Sequence, residues 1–128
     1  MNRQAISTPG SPGHLNFMAQ GISVNEFTFA VTVPRDPATL EIPDTFEEQA
    51  RFAFENLTAV LDAAGCSFGD VVKLTIYLSD MDNWERMNVV YKRFVDLSAP
   101  PVRCTVEIAR LNNDYMIELD AIAAASEV

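Results

Sequence analysis

Apolar residues recur along this chain at two different periods, and the changes of period divide it into elements. Glu26–Val33 (EFTFAVTV) is a β-branched and aromatic run that suits a strand, ended by Pro34, which cannot donate to a strand ladder. Pro34-Arg35-Asp36-Pro37 reads as a turn. The period then lengthens: Phe46, Ala50, Ala53, Phe54, Leu57, Val60, Leu61 and Ala64 fall on one helical stripe, which predicts a helix over Asp44–Ala64. Thr45 with Glu48 three residues on makes a capping box, Glu47 suits the positive helix start, and Gly65 stands just past the end.

Val71–Leu78 (VVKLTIYL) alternates as a strand, with Val72, Leu74, Ile76 and Leu78 on one face and Val71, Lys73, Thr75 and Tyr77 on the other. Asp80 or Asp82 can cap a second helix over Asn83–Val95, whose stripe is Trp84, Met87, Tyr91, Phe94 and Val95. Pro100-Pro101 bars a helix there, so Val102–Ala109 and Tyr115–Ala123 read as two strands joined by a turn at Asn112-Asn113-Asp114. Residues 1–14, rich in Ser, Pro and Gly, read as a loosely ordered lead-in with room for an edge strand near Gln4–Ser7. The order is β-β-α-β-α-β-β, an α+β domain with a mixed sheet covered on one face by two helices. Strands 26–33 and 71–78 flank a helix and could pair as a crossover unit. The uncovered sheet face would include Val71, Tyr77 and Leu119, and burial between copies of the chain is one answer to such an exposed apolar patch.

Composition narrows the function classes. At 128 residues the chain fits a single domain over 1–128, large enough to build a core without metal or disulfide staples. Cys66 and Cys104 form no CxxC pair, so two free thiols are expected, and the single histidine, His14, is too little for a His-based metal site. The net charge of −9 repels polyanions, so no nucleic-acid partner is expected. No run of 18 apolar residues exists to span a membrane, and the polar start Met1-Asn2-Arg3-Gln4 is unlike a signal peptide, so a cytoplasmic location is expected.

Two residues carry candidate chemistry. Arg103 shares a strand face with Thr105 and Glu107, where its guanidinium can fork onto a carboxylate or pair with Glu107 or another internal acid. Glu118 lies with Met116, Asp120 and Ile122 on one face of the last strand, where it can orient or deprotonate a water or simply be a solvated sheet residue. Spacing alone leaves both alternatives open.

Three stretches together resemble the RidA/YjgF/UK114 family of enamine/imine deaminases: EQARFAFENLTAVLDAAGCSFGD (Glu48–Asp70), DVVKLTIYLSDMDNWERMNVVYKRF (Asp70–Phe94) and PPVRCTVEIARLNNDYMIELDAIA (Pro100–Ala123). The resemblance extends over roughly residues 15–123. It implies a chorismate-mutase-like fold, a homotrimer with clefts between subunits, and cofactor-free hydrolysis of a reactive 2-enamine or 2-imine acid to a 2-oxo acid and ammonia. It also implies that Arg103 clamps the substrate carboxylate and Glu118 holds the attacking water. Phe17, a tyrosine in most relatives, would close the cleft from an adjoining chain, and Asn88 of the second helix would lie in it. Ala30-Val31 stands where relatives have Ser-Gly, and Thr105 where they carry a cysteine, so the carboxylate anchor is expected in a pocket reshaped around Val31 and Thr105. The substrate would be either the generic small imine or a specialised pathway intermediate. The alternative is a non-catalytic or chaperone-like trimer that binds a carboxylate metabolite on the same scaffold.

Overall fold

A computed structural model describes residues 2–13 and 17–125. Its strands are β1 (Arg3–Ile6), β2 (Gly21–Val24), β3 (Phe27–Thr32), β4 (Val71–Leu78), β5 (Val102–Glu107) and β6 (Ile117–Ala124); its long helices are α1 (Phe46–Ala63) and α2 (Trp84–Phe94). One mixed sheet runs β1-β2-β3-β6-β4-β5, antiparallel throughout except where β4 and β5 pair in parallel.

The helix signals act as expected, with one change. The Thr45 hydroxyl accepts the Glu48 N–H at 3.3 Å, and Gly65 takes φ +78° just past the end of α1. The Glu48 carboxylate is drawn to Arg51, one turn away, so the capping box is only half made. The predicted stripe is buried except for half-buried Ala64, and it packs against the sheet. Two polar residues are buried with it. Gln49 donates to the Pro43 carbonyl and accepts the Met116 N–H (both 2.9 Å), while Asn56 donates to the carbonyls of Val33 and Arg35 at 2.9 and 2.8 Å. These amides fix the two loops that flank the candidate site.

The strand pattern needs four corrections. Residues 21–24 form β2, which the predicted order omits; Asn25 at φ +54° turns it back onto β3. Four residues that include Gly and Ser show too little periodicity to announce a strand. Strands β3 and β4 do not pair, because β6 lies between them and pairs with both. Strands β5 and β6 are likewise no hairpin: the chain crosses over β4, leaving β5 at the sheet edge. Finally, a register shift between Val71 and Lys73 turns Val71 toward the helices, and Leu119 is fully buried there too. The uncovered face instead presents Phe27, Phe29, Val31 and Tyr77, with Glu118 and Asp120.

Residues 3–12 of the lead-in are tied down where looseness was expected. β1 pairs with β2, and the Gln20 amide accepts the Thr8 N–H at 2.7 Å and donates to the carbonyls of Thr8, Ser11 and Pro12. His14 lies outside the described residues. Both cysteines are free thiols, and no helix among the described residues is long and apolar enough to cross a membrane.

Candidate active site

The parallel register Leu74↔Arg103 and Ile76↔Thr105 sets Arg103 and Thr105 on the helix-facing side of the edge strand, beneath α2. Three α2 residues hold the guanidinium. Asn88 Oδ1 accepts from Nη1 at 2.7 Å, the Tyr91 ring centre lies 4.7 Å away, and the Trp84 ring centre 5.7 Å. Tyr91 is itself braced by Phe54, whose ring also stacks on Phe94 at 5.3 Å. Glu107 does not pair with Arg103: its carboxylate accepts the Met81 N–H at 2.7 Å. Among the described residues no carboxylate pairs with Arg103, so its fork stays available to a ligand. Burial pushes the Tyr91 hydroxyl above its usual range, and the Arg103 cation partly opposes this. The Thr105 hydroxyl beside it is buried without a partner.

Glu118 is on the other face. Its register neighbours are Tyr77 on β4 and, two residues along, Asp120 opposite Val31. Burial, reinforced by the Asp120 carboxylate, lifts its carboxyl above the ordinary glutamate range. It lines a cavity of about 440 Å³ with Phe17, Met18, Val33, Arg35 and Tyr115 among the other wall residues. Phe17 is 89% exposed in the single chain. Val33 forms the wall where Val31 was expected, while Val31 sits on the same sheet face outside the cavity.

The predicted site residues therefore fall into two groups. Arg103, Asn88 and Thr105 come together under α2; Glu118, Phe17 and Val31 belong to the open face. A single chain does not join them. Sequence reasoning passed over Trp84 and Tyr91, assigned only to the helix core stripe, although their spacing with Asn88 (84, 88, 91) places all three on one helical face. It also missed Arg35 and Tyr115 as cavity residues, which no local pattern could reveal because they are 80 positions apart.

A family model described as Endoribonuclease L-PSP matches residues 11–125. The chain belongs to this RidA/YjgF family. A RutC family protein of Pyrococcus abyssi is 40% identical over 125 residues, 96% of this chain and 98% of its own length. TdcF of Escherichia coli (strain K12), provisionally named a reactive intermediate deaminase, is 36% identical over 127 residues, 97% and 98% of the two chains. The crystal structure of Escherichia coli TdcF with bound serine superposes at a TM-score of 0.90, covering 96% of this chain and 99% of that one. RidA of an Antarctic Psychrobacter superposes equally well, at 0.90 with 30% identity over 94% and 98% of the chains. This RidA-family chain thus has the fold of relatives named as deaminases of reactive intermediates.

Proposed function

We propose that this protein is a homotrimeric, cofactor-independent deaminase that hydrolyses a reactive 2-enamine or 2-imine acid in clefts between subunits. The reading rests on one observation: a guanidinium held on three sides, with no carboxylate among the described residues to satisfy it. Such a fork is preorganised for a substrate carboxylate and fixes the adjacent imine carbon. The serine bound to TdcF is a small carboxylate ligand of this kind.

The reacting half comes from a second copy. Phe27, Phe29 and Val31 form an exposed apolar strip on the open face, which association would cover while bringing Glu118 to a neighbour's Arg103. Glu118, with its carboxyl shifted toward neutrality, accepts a proton from water as the water oxygen bonds to the imine carbon. Glu118 hands that proton to the nitrogen to give a carbinolamine. The carbinolamine hydroxyl then yields its own proton, again through Glu118, to the nitrogen as the C–N bond breaks, leaving a 2-oxo acid and ammonia. An RNA substrate, which the family description would suggest, is disfavoured by the −9 charge.

The test generates 2-aminoacrylate and 2-aminocrotonate with a dehydratase and follows oxo-acid formation. Acceleration that disappears in Arg103→Ala supports the reading. A folded trimer that binds carboxylates without accelerating either reaction would favour the metabolite-binding alternative.

A further inference from the structure

The cavity beside Glu118 contains a second arginine that the proposed reaction does not use. Arg35 is half-buried; its Nε donates to the Tyr115 hydroxyl at 2.5 Å, its Nη1 to the Leu40 carbonyl at 2.8 Å, and its own carbonyl is held by Asn56. A guanidinium has five N–H donors, and these bonds spend two. Among the described residues no carboxylate pairs with Arg35, in a chain with 18 acids to 9 cations. Tyr115 is 4% exposed, and its oxygen accepts from Arg35 and, at 3.4 Å, from Asn113 Nδ2, which leaves the hydroxyl hydrogen to donate. The rim is built with left-handed backbone at Leu40 (φ +65°) and Asn113 (φ +56°), a conformation that packing must sustain.

We propose that this corner binds a second carboxylate, at the far end of the substrate, through Arg35 and the Tyr115 hydroxyl. The inference rests on the deaminase reading and adds the substrate class: an elongated dicarboxylic imino acid. Its reacting end faces Glu118, and its carbon chain lies along Phe17, Met18 and Val33. A carboxylate fits better than a phosphate. Among the described cavity residues Arg35 is the only cation, matching one negative charge and not two.

The first experiment needs no turnover. Binding of saturated dicarboxylates of four to six carbons is compared with that of monocarboxylates of equal length, by calorimetry on the intact assembly. The dicarboxylates should bind about tenfold tighter or more, as one added charge-assisted pair allows. In Arg35→Gln that ratio should collapse toward one, and Arg35→Lys, which keeps the charge but loses the fork, should fall between. With dicarboxylic imines, Arg35→Gln should raise KM far more than it lowers kcat. Equal affinities in the unchanged protein would overturn the proposal. So would an unaltered ratio in Arg35→Gln, a change in that variant's assembly state, or inorganic phosphate binding more tightly than any dicarboxylate. If no imine is hydrolysed at all, the deaminase reading fails, while the binding ratio still judges Arg35 separately.

Discussion

Arg103 and Glu118 stand two strands apart in one sheet, yet their surroundings are made in different ways. Arg103 is held by side chains from a short stretch, Trp84 to Tyr91, with a hydrogen bond and two ring faces fixing its plane. Glu118 has no such brace. Its cavity is assembled from segments as distant as Pro12, Leu40 and Asn112, and its carboxyl is tuned by exclusion of water and by Asp120. On the proposed reading, the anchoring half is complete within a chain and the reacting half awaits a neighbour. A preorganised anchor and an assembly-dependent acid-base group would confine the reaction to the trimer.

The sharpest way to break this comparison is to mix two dead variants. Arg103→Ala should lose about a hundredfold or more in kcat/KM, through loss of a bidentate charged contact. Glu118→Gln should lose about 10²- to 10⁴-fold, the usual worth of a positioned acid-base group. Co-refolded at equal amounts, the two should regain activity in about one cleft in four, since each cleft then draws Arg103 and Glu118 independently from two chains. No recovery, with mixed trimers demonstrated by mass, would mean that one chain supplies both groups.

Phe54→Ala tests the brace behind the anchor. Phe54 is fully buried and touches Tyr91, Phe68 and Phe94, so its truncation should cost about 3–5 kcal/mol in chemical denaturation. What remains folded should lose carboxylate affinity, because Tyr91 no longer fixes the Arg103 plane. Full retention of affinity would show that Asn88 positions Arg103 without the rings.

The reacting half should announce itself through pH. Glu118 holds its proton more tightly folded than unfolded, so its contribution to stability is fully present below the unfolded glutamate pKa and is lost as pH rises through the raised folded value. Glu118→Gln should therefore raise Tm at neutral pH, with the gain shrinking as pH falls through the raised folded value and gone below about 4, where both states are protonated. A gain that is constant with pH would mean that the carboxyl is not shifted.

The same contrast explains what could be read from sequence. Both helices, the β4 strand and the Arg103–Thr105–Glu107 face were legible because period and capping are local. The site's division was not, since it depends on β5 pairing parallel to β4 while β6 inserts between β3 and β4. Val71 was assigned to the wrong face because a one-residue register shift reverses the alternation that places it. Thr45 was read correctly and Glu48 was not, since Arg51 competes for the carboxylate that would close the box. Arg35 went unnoticed inside a turn motif; its partner Tyr115 is brought to it only by the tertiary fold.

The smallest effect lies on the cavity rim and separates strain kept for a site from strain that is merely tolerated. Leu40 occupies left-handed backbone, which costs a non-glycine residue about 1 kcal/mol or more. Its side chain is 46% exposed, so little burial offsets that cost. Leu40→Gly should raise stability by up to about 1 kcal/mol, the relieved backbone outweighing the extra freedom of glycine in the unfolded chain. Leu40→Val, β-branched at the same φ, should lower it. The bonds from Leu40 N–H to the Asp36 carbonyl and from Arg35 to the Leu40 carbonyl keep the loop's shape in either variant, so the change reports on the backbone itself. If Leu40→Gly is more stable yet binds dicarboxylates less well, the strained leucine is retained as a wall of the reacting half. If stability and binding rise together, the rim has no part in recognition, and the contrast between the two half-sites narrows to Arg35, Tyr115 and Glu118.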